Sequence, residues 1–379
     1  MPESPVYLDC NATTPVDPRV IDVMMRVLTG APSNAGSRTH EFGTRAMQTV
    51  HQARAAIAAV VDSEPEAVLF TSGSTESSNL AILGLAPFGE DTGRKHVVCS
   101  SIEHKAVLEP IECLRRRGFE VTLVPPDRRG VVSVESVMTA VRPDTLLVCL
   151  MHVNNETGVV QPISTLATAL EQHGTFVHVD AAQGFGKDLD PLRNQRIDML
   201  SVSGHKIYGP QGIGALIVRR RHGRRPPLAP LVYGGGQERG LRAGTLPVHL
   251  IAGFGEAARI AVTDHALRLE ACRRFRDRLL LGLQPLCPVP IGDQAKTLPH
   301  VIALAFPGLD SEAVILALKD IVAISNGSAC TSASYSESHV LKAMALPADQ
   351  ISSVTRWSWC HATTEPDWRA IVNAIQRLQ

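Results

Sequence analysis

The chain has 379 residues, 44% of them apolar and 20% charged, a balance proper to a folded globular protein and not to a disordered, fibrous or membrane-embedded one. Lysine plus arginine equals aspartate plus glutamate at 37 each, so no net field draws the chain to nucleic acid, anionic lipid or an acidic partner. Such a length exceeds one ordinary core and predicts two packed domains, or a large α/β domain with a smaller one appended.

An alanine- and arginine-rich helix over Arg45 to Val61 comes first. Short apolar runs then alternate with helical stretches: Val68 to Thr71, Val97 to Ser100, Val121 to Val124, Leu146 to Met151, Phe176 to Val179, Met199 to Val202 and Ala215 to Val218. This alternation predicts an α/β fold with a large, doubly wound, mostly parallel sheet covered by helices. The arginine-rich run Arg219 to Arg225 follows the last of these strands and reads as a solvated loop, with a docking role as the alternative. After Gly255 come a long charged helix through Arg278, proline-rich turns, a strand over Val301 to Phe306 and a terminal helix near Trp368 to Leu378, which read as a smaller domain.

No stretch approaches the roughly 20 apolar residues that span a bilayer, and the N-terminus lacks a basic-then-apolar signal pattern. The eight cysteines include no Cys-x-x-Cys pair and no Cys/His cluster at zinc spacing, so a reducing cytoplasm, free thiols and no metal site are expected. Cys99 and Cys149 sit in strand-like runs and Cys113 and Cys272 in helical patterns, all four read as structural.

Three predicted strand ends carry complementary chemistry. Lys206 lies in a glycine-broken turn just after the apolar run Ile197 to Val202, where open α/β sheets gather ligands. Alone it would be read as a solvated surface charge. The strand within Thr175 to Gln183 runs into Asp180, with the Gln183 amide beyond the turn; a helix N-cap is the plainer reading of Asp180. A lysine that condenses with a carbonyl and a carboxylate that keeps a pyridine nitrogen protonated are the pair that pyridoxal 5'-phosphate (PLP) requires. Third, Val68 to Asn79 reads as strand, hydroxyl-rich turn and helix, where helix-start N–H groups with the Ser74 and Thr75 hydroxyls suit a phosphate. An ordinary capping motif is the competing account.

On the segments Asn11-Ala-Thr-Thr-Pro-Val-Asp17, Phe70-Thr-Ser-Gly-Ser-Thr-Glu76, Glu103-His-Lys-Ala-Val107, Met151-His-Val-Asn-Asn-Glu-Thr-Gly158, Ser203-Gly-His-Lys206, Gly244-Thr-Leu-Pro247 and Gly327-Ser-Ala-Cys-Thr-Ser-Ala333, the chain resembles PLP-dependent cysteine desulfurases of the NifS/IscS type, in the class V aminotransferase group. The resemblance runs from Tyr7 to about Thr364. It implies a fold type I enzyme with a large PLP-binding domain over 16–258, a small domain over 1–15 and 259–379, and a homodimer with the site between domains and across the subunit interface. The implied reaction converts L-cysteine to L-alanine and leaves the sulfur on Cys330 as a persulfide. The small residues around Cys330 predict an exposed, mobile loop suited to a nucleophilic carrier.

The resemblance also assigns roles. His104 stacks on the ring and moves protons, as an imidazole titrating near neutrality can, a helix-start histidine being the alternative. Asn155 and Gln183 contact the pyridoxal hydroxyl. Ser203 and His205 join Ser74 and Thr75 at the phosphate, and Thr245 reaches it from the neighbouring subunit. Arg356 grips the substrate carboxylate with a two-pronged guanidinium, against the alternative of a surface ion pair. Asn34 and Arg38 are weaker candidates on the substrate side.

Within the family, Leu83 to His96 and the Ser358-Trp359 pair resemble DndA, the desulfurase branch of DNA phosphorothioation, which implies sulfur delivery to Dnd-type acceptor proteins, including an iron-sulfur subunit, without direct nucleic acid contact. The end at Gln379 lacks the longer tail of the IscS group, which puts iron-sulfur scaffold docking in doubt. Sulfur donation to iron-sulfur assembly remains the alternative, as does a class V aminotransferase or selenocysteine lyase. Cys10 and the Cys360-His361 pair depart from the family pattern; they read as buried or incidental thiols, with secondary sulfur acceptance as the alternative.

Overall fold

The computed structural model describes residues 5–32, 34–326 and 337–379. Strand β1 (Val6–Tyr7) is followed by α1 (Pro18–Thr29), α2 (Glu41–Val60) and a seven-stranded sheet built from β2 (Val68–Thr71), β3 (His96–Ser100), β4 (Glu120–Val124), β5 (Thr145–Cys149), β6 (Phe176–Asp180), β7 (Met199–Ser203) and β8 (Gly214–Val218). Between them run α3 (Ser74–Leu83), α4 (Ala86–Thr92) and α5 (Lys105–Arg116). The spatial order is β2-β8-β7-β6-β5-β3-β4, and β8 alone runs antiparallel to its neighbours. Strands β2, β3, β5, β7 and β8 are buried along their whole length, which explains why they read as continuous apolar runs and not as alternating ones.

All seven expected strands form, and the differences have local causes. The fifth sheet strand was expected to reach Met151 but ends at Cys149, because the Met151 N–H donates to the Glu103 carboxyl (2.6 Å) and leaves the ladder. The long charged helix is two helices, Val248–Thr263 and His265–Leu283, broken at Asp264, whose carboxylate pairs with Arg19 at 2.7 Å. Helix Val248–Thr263 packs closely against α1 and α2. At Gly255 an added Cβ would lie 2.6 Å from the Ala53 backbone, so only glycine permits that crossing. The arginine run is not uniformly solvated: Arg219, directly after the internal strand β8, is buried because its guanidinium donates to the carbonyls of Val61, Leu192 and Asn194.

A second core lies beyond the sheet. Strands β9 (Val289–Ile291), β10 (Val301–Ala305) and β12 (Val354–Ser358) form an antiparallel sheet, while β1 pairs in parallel with β11 (Val322–Ala323). Leu8 is buried among Phe275, Leu279, Phe306, Trp357 and Trp359, so the first residues of the chain pack with its last third. A parallel bridge between Asp9 and Ser358 extends that contact toward the large sheet.

The edge strand β2 is closed by side chains. The Phe70 N–H donates to the Glu238 carboxylate (2.7 Å), and Arg54 donates both to the Val68 carbonyl (2.5 Å) and to Glu238 (2.8 Å) while its guanidinium lies 4.6 Å over the Phe70 ring. Glu238 and Arg239 hold left-handed backbone (φ 47° and 58°) to bring that carboxylate in. An edge with its polar groups already satisfied does not recruit a foreign strand. Glu238→Ala, which strands a buried guanidinium, is expected to destabilise the fold by about 3–5 kcal/mol in urea unfolding, with Glu238→Gln costing less.

Candidate active site

Because β2, β3, β5, β6 and β7 are mutually parallel in direction, their C-terminal ends open on one edge of the sheet. The residues just past those ends are Ser74 and Thr75, His104, Asn155, Asp180 with Gln183, and Lys206. All of them line one cavity of about 140 Å³. Arg356 from β12 and Asn11 from the N-terminal segment close it, so the second core supplies one wall.

Lys206 ends a short helical turn, Gly204–Lys206, directly after β7. Its Nζ donates to the carbonyls of Asn11 and Ala12, the latter at 2.8 Å. Two residues on, Tyr208 adopts φ 67°, an unfavourable conformation for a bulky side chain. That turn is held on three sides: the Tyr208 N–H donates to Thr14 Oγ1 (2.8 Å), its carbonyl accepts from Asp17 N–H (2.9 Å), and the Arg268 guanidinium lies 4.4 Å over its ring.

Asp180 is buried at the end of β6 and accepts the Ala182 N–H at 3.0 Å. Burial raises its pKa, against the pull of His104 and Lys206. A carboxyl that is costly to ionise here becomes a favourable carboxylate as soon as a cation occupies the cavity beside it. His104 is the N-cap of α5, as the plainer reading has it, with Nδ1 accepting the Ala106 N–H (3.1 Å), and it also lines the cavity. Burial lowers its pKa while Asp180 raises it and Lys206 lowers it, so the ring is neutral with its proton on Nε2.

The phosphate end is equally explicit. Gly73, the N-cap of α3, has no side chain to occupy the first-turn N–H groups, and Ser203 Oγ faces it. The capping account holds only in part, because Glu76 reaches back to the Ser72 N–H (2.6 Å) and also pairs with Arg242. His205 accepts or donates to Thr13 Oγ1 at 3.2 Å, and burial pushes its pKa down to about 4. Gln183 Nε2 donates to the Asn11 carbonyl (3.0 Å), while Gln183 Oε1 and Asn11 Oδ1 are buried with no hydrogen-bond partner among the described residues.

Arg356 is 1% exposed, so it is no surface ion pair, yet it does pair: Nη2 donates to Asp9 (2.6 Å) and Nη1 to the Asn155 carbonyl (3.0 Å), while Nε is buried without a partner among the described residues. Cys330 lies outside the described residues. The chain on either side of it is anchored at the cavity wall. Ser325 bridges Arg356, the Ser338 hydroxyl donates to Glu156 beside Asn155, and His339 contacts the Glu103 carbonyl (2.9 Å) beside His104.

Four expected residues are not part of the cavity lining within this chain, one of them Ser203, which is buried behind Gly73. Thr245 is exposed just before helix Val248–Thr263. Asn34 and Arg38 are exposed between α1 and α2, where Asn34 Oδ1 accepts the Gly36 N–H (2.9 Å). Asn11 and Asp9 are cavity-side residues that the sequence reading did not single out. The Asn11-Ala-Thr-Thr segment was the available signal, but only the bridge between Asp9 and Ser358 shows where it goes.

The lowered His104 pKa fixes a sign. As pH falls below about 6.5 the unfolded chain takes a proton that the folded ring refuses, so folding stability drops over that range. Nitrogen-15 NMR of the His104 ring should show the Nε2–H tautomer at pH 7 and a midpoint below the ordinary histidine value; a cationic ring at pH 7 would contradict the geometry.

The chain is similar to known proteins along nearly its whole length. Residues 6–370 match the aminotransferase class-V family. Cysteine desulfurase IscS of Klebsiella pneumoniae (strain 342) is 46% identical over 375 residues, covering 98% of this chain and 92% of that protein. The crystal structure of DndA from Streptomyces lividans is 50% identical with a TM-score of 0.82, covering 95% of this chain and 100% of that one. The structure of SspA in complex with cysteine is 36% identical with a TM-score of 0.82, covering 95% and 100%.

Proposed function

The chain belongs to the class-V aminotransferase family and is a PLP-dependent cysteine desulfurase of fold type I, and from that premise we propose that the cavity at the strand ends is its active site, with Lys206, His104 and Cys330 as catalytic residues. The observation that carries the assignment is the convergence of an amine, a buried carboxyl, an imidazole and a helix N-terminus on one cavity.

The residues present fit PLP. Two orphaned amide oxygens mark a place for a polar ring, and Asp180 provides a buried carboxyl whose ionisation needs a neighbouring cation. When bound, PLP supplies an electron sink for the carbon atoms of an attached amino acid. Lys206 is the amine that holds the cofactor, and Asp180 holds a proton on the ring nitrogen. Asn155 and Gln183 orient the ring hydroxyl. Ser74, Thr75, Ser203 and the N–H groups of α3 bind phosphate, and His205, being neutral, contributes there without a competing charge. Thr245, remote in this chain, completes the phosphate site from the second subunit of a homodimer.

Arg356 fixes the L-cysteine carboxylate through exchange with Asp9, with Asn34 and Arg38 contributing across the dimer. His104, neutral and capping α5, carries protons to and from the substrate. The Cys330 thiolate attacks the substrate sulfur, the C–S bond breaks, the sulfur stays on Cys330 as a persulfide, and protonation of the remaining skeleton gives L-alanine. Residues 16–258 form the large PLP-binding domain, and 1–15 with 259–379 form the small domain that brings Cys330 to it.

The 50% identity to DndA supports Dnd-type proteins as the sulfur acceptors, and the IscS likeness supports an iron-sulfur assembly protein as the second reading. Among the described residues no helix is long and apolar enough to cross a membrane, and the reaction suits the cytoplasm. Transfer of labelled sulfur from the loaded enzyme to purified Dnd proteins, set against an IscU-like scaffold, decides between the acceptors.

Cys330→Ser should keep the visible cofactor absorbance and lose both persulfide and alanine formation; alanine released at an undiminished rate would remove Cys330 from the reaction. Lys206→Ala should lose activity by on the order of a thousandfold or more. Arg356→Lys keeps the charge and loses the two-pronged geometry, so KM for cysteine should rise roughly 10- to 100-fold with a smaller change in kcat.

A further inference from the structure

A second thiol centre lies behind the active site. The Cys10 N–H donates to the Ser358 carbonyl (3.0 Å), which sets Cys10 beside Cys360, two residues farther along the other segment. The two cysteines and Tyr208 form a buried cluster of their own. Cys360 Sγ also accepts from Thr363 Oγ1 at 3.4 Å. Both cysteines, though only 1% and 5% exposed, line a cleft of about 610 Å³ bordered by Tyr7, Thr13, Thr14 and Thr363. Burial pushes the nearby Lys187 amine down to about 8, against the pull of Cys10, Cys272 and Cys360.

The pair is asymmetric. Donation from Cys10 pushes the Cys360 thiol down to about 6, and the same bond with burial pushes Cys10 up. The shifts run in opposite directions, Cys360 toward the thiolate and Cys10 toward the thiol, at two cysteines packed in one cluster. By contrast Cys99, buried in β3, is held protonated by burial and its Cys149 contact.

We infer that Cys10 and Cys360 form a second sulfur-handling site that discharges persulfide as sulfide: Cys360 takes the outer sulfur of a persulfide RS–SH, and Cys10 then resolves it. In the first step the Cys360 thiolate attacks the outer sulfur, the RS–S bond breaks, RS⁻ leaves and Cys360 carries S–SH. In the second, the Cys10 sulfur attacks Cys360 Sγ, HS⁻ leaves with the electron pair, and the Cys10 proton goes to solvent. Two thiols are oxidised to a disulfide, and one sulfane sulfur is reduced to sulfide, so no other oxidant is needed. The persulfide comes either from Cys330, which rests on the proposed function, or from a small molecule in the cleft, which does not.

The test is non-reducing peptide mass spectrometry with sulfide quantitation on the anaerobic holoenzyme. One arm gives the wild-type protein L-cysteine, and the other gives Cys330→Ala glutathione persulfide. A Cys10–Cys360 cross-link, short of two hydrogens, with about one sulfide released per chain, is expected. Cross-linking in both arms assigns the cleft as an entry for small persulfides, and cross-linking in the wild-type arm alone assigns Cys330 as the source. Cys10→Ser should retain one extra sulfur on Cys360, and Cys360→Ser should give neither product. No cross-link in either arm, or extra sulfur spread equally over Cys113 and Cys287, overturns the inference.

Discussion

The structure turns on one contact: the N-terminal segment leaves the second core and places the carbonyls of Asn11 and Ala12 on the Lys206 amine. That contact joins the strand ends of the large sheet to the wall that carries Arg356, and it ties the geometry of the amine to the packing of the second core. The N-terminal segment is itself fixed at three further points. Cys10 N–H is taken by Ser358, Asn11 N–H by Ser358 Oγ (2.9 Å), and the Thr14 hydroxyl bonds both the His205 carbonyl (2.8 Å) and the Tyr208 N–H. The left-handed Tyr208 is tolerated because its surroundings determine it from every side.

Burial does most of the electrostatic tuning around that contact. Glu103, fully enclosed, accepts from Ser100 Oγ and the Met151 N–H (both 2.6 Å), and burial still pushes its carboxyl up to about 8. It is therefore protonated near neutrality and acts as a brace between the ends of β3 and β5, adding no charge next to His104. Asp180 is pushed in the same direction but has His104 and Lys206 across the cavity to oppose the shift. Of two neighbouring carboxyls, the one facing basic groups is prepared to become an anion and the other stays neutral.

The sequence made the sheet legible because its strands are covered on both faces, so each is a compact apolar run between turn residues. The strand ends were legible for the same reason: Lys206, Asp180 and Ser74 each follow such a run directly. Asn11 and Asp9 were not, because their place depends on a pairing with Ser358 almost 350 positions away, and no local period records it. The burial of Arg219 was hidden too, since five nearby charges of like sign read as solvent-facing whichever way one of them turns. Thr245, Asn34 and Arg38 mark a different limit: they are exposed away from the cavity, and the cross-subunit role proposed for them would leave no signature in one chain's pattern.

The cysteines show how far environment, not residue type, sets chemistry. In β3 and β5, Cys99 and Cys149 are enclosed by apolar neighbours and behave as small hydrophobes. Cys10 and Cys360 are nearly as buried, yet they face each other, a threonine hydroxyl and a lysine, and one of them is driven toward the thiolate. Cys10 adjoins the residue whose carbonyl holds the Lys206 amine, so whatever happens to that thiol is one peptide unit from the catalytic turn. The proposed dithiol and the Lys206 amine thus share one stretch of backbone, Cys10 to Ala12.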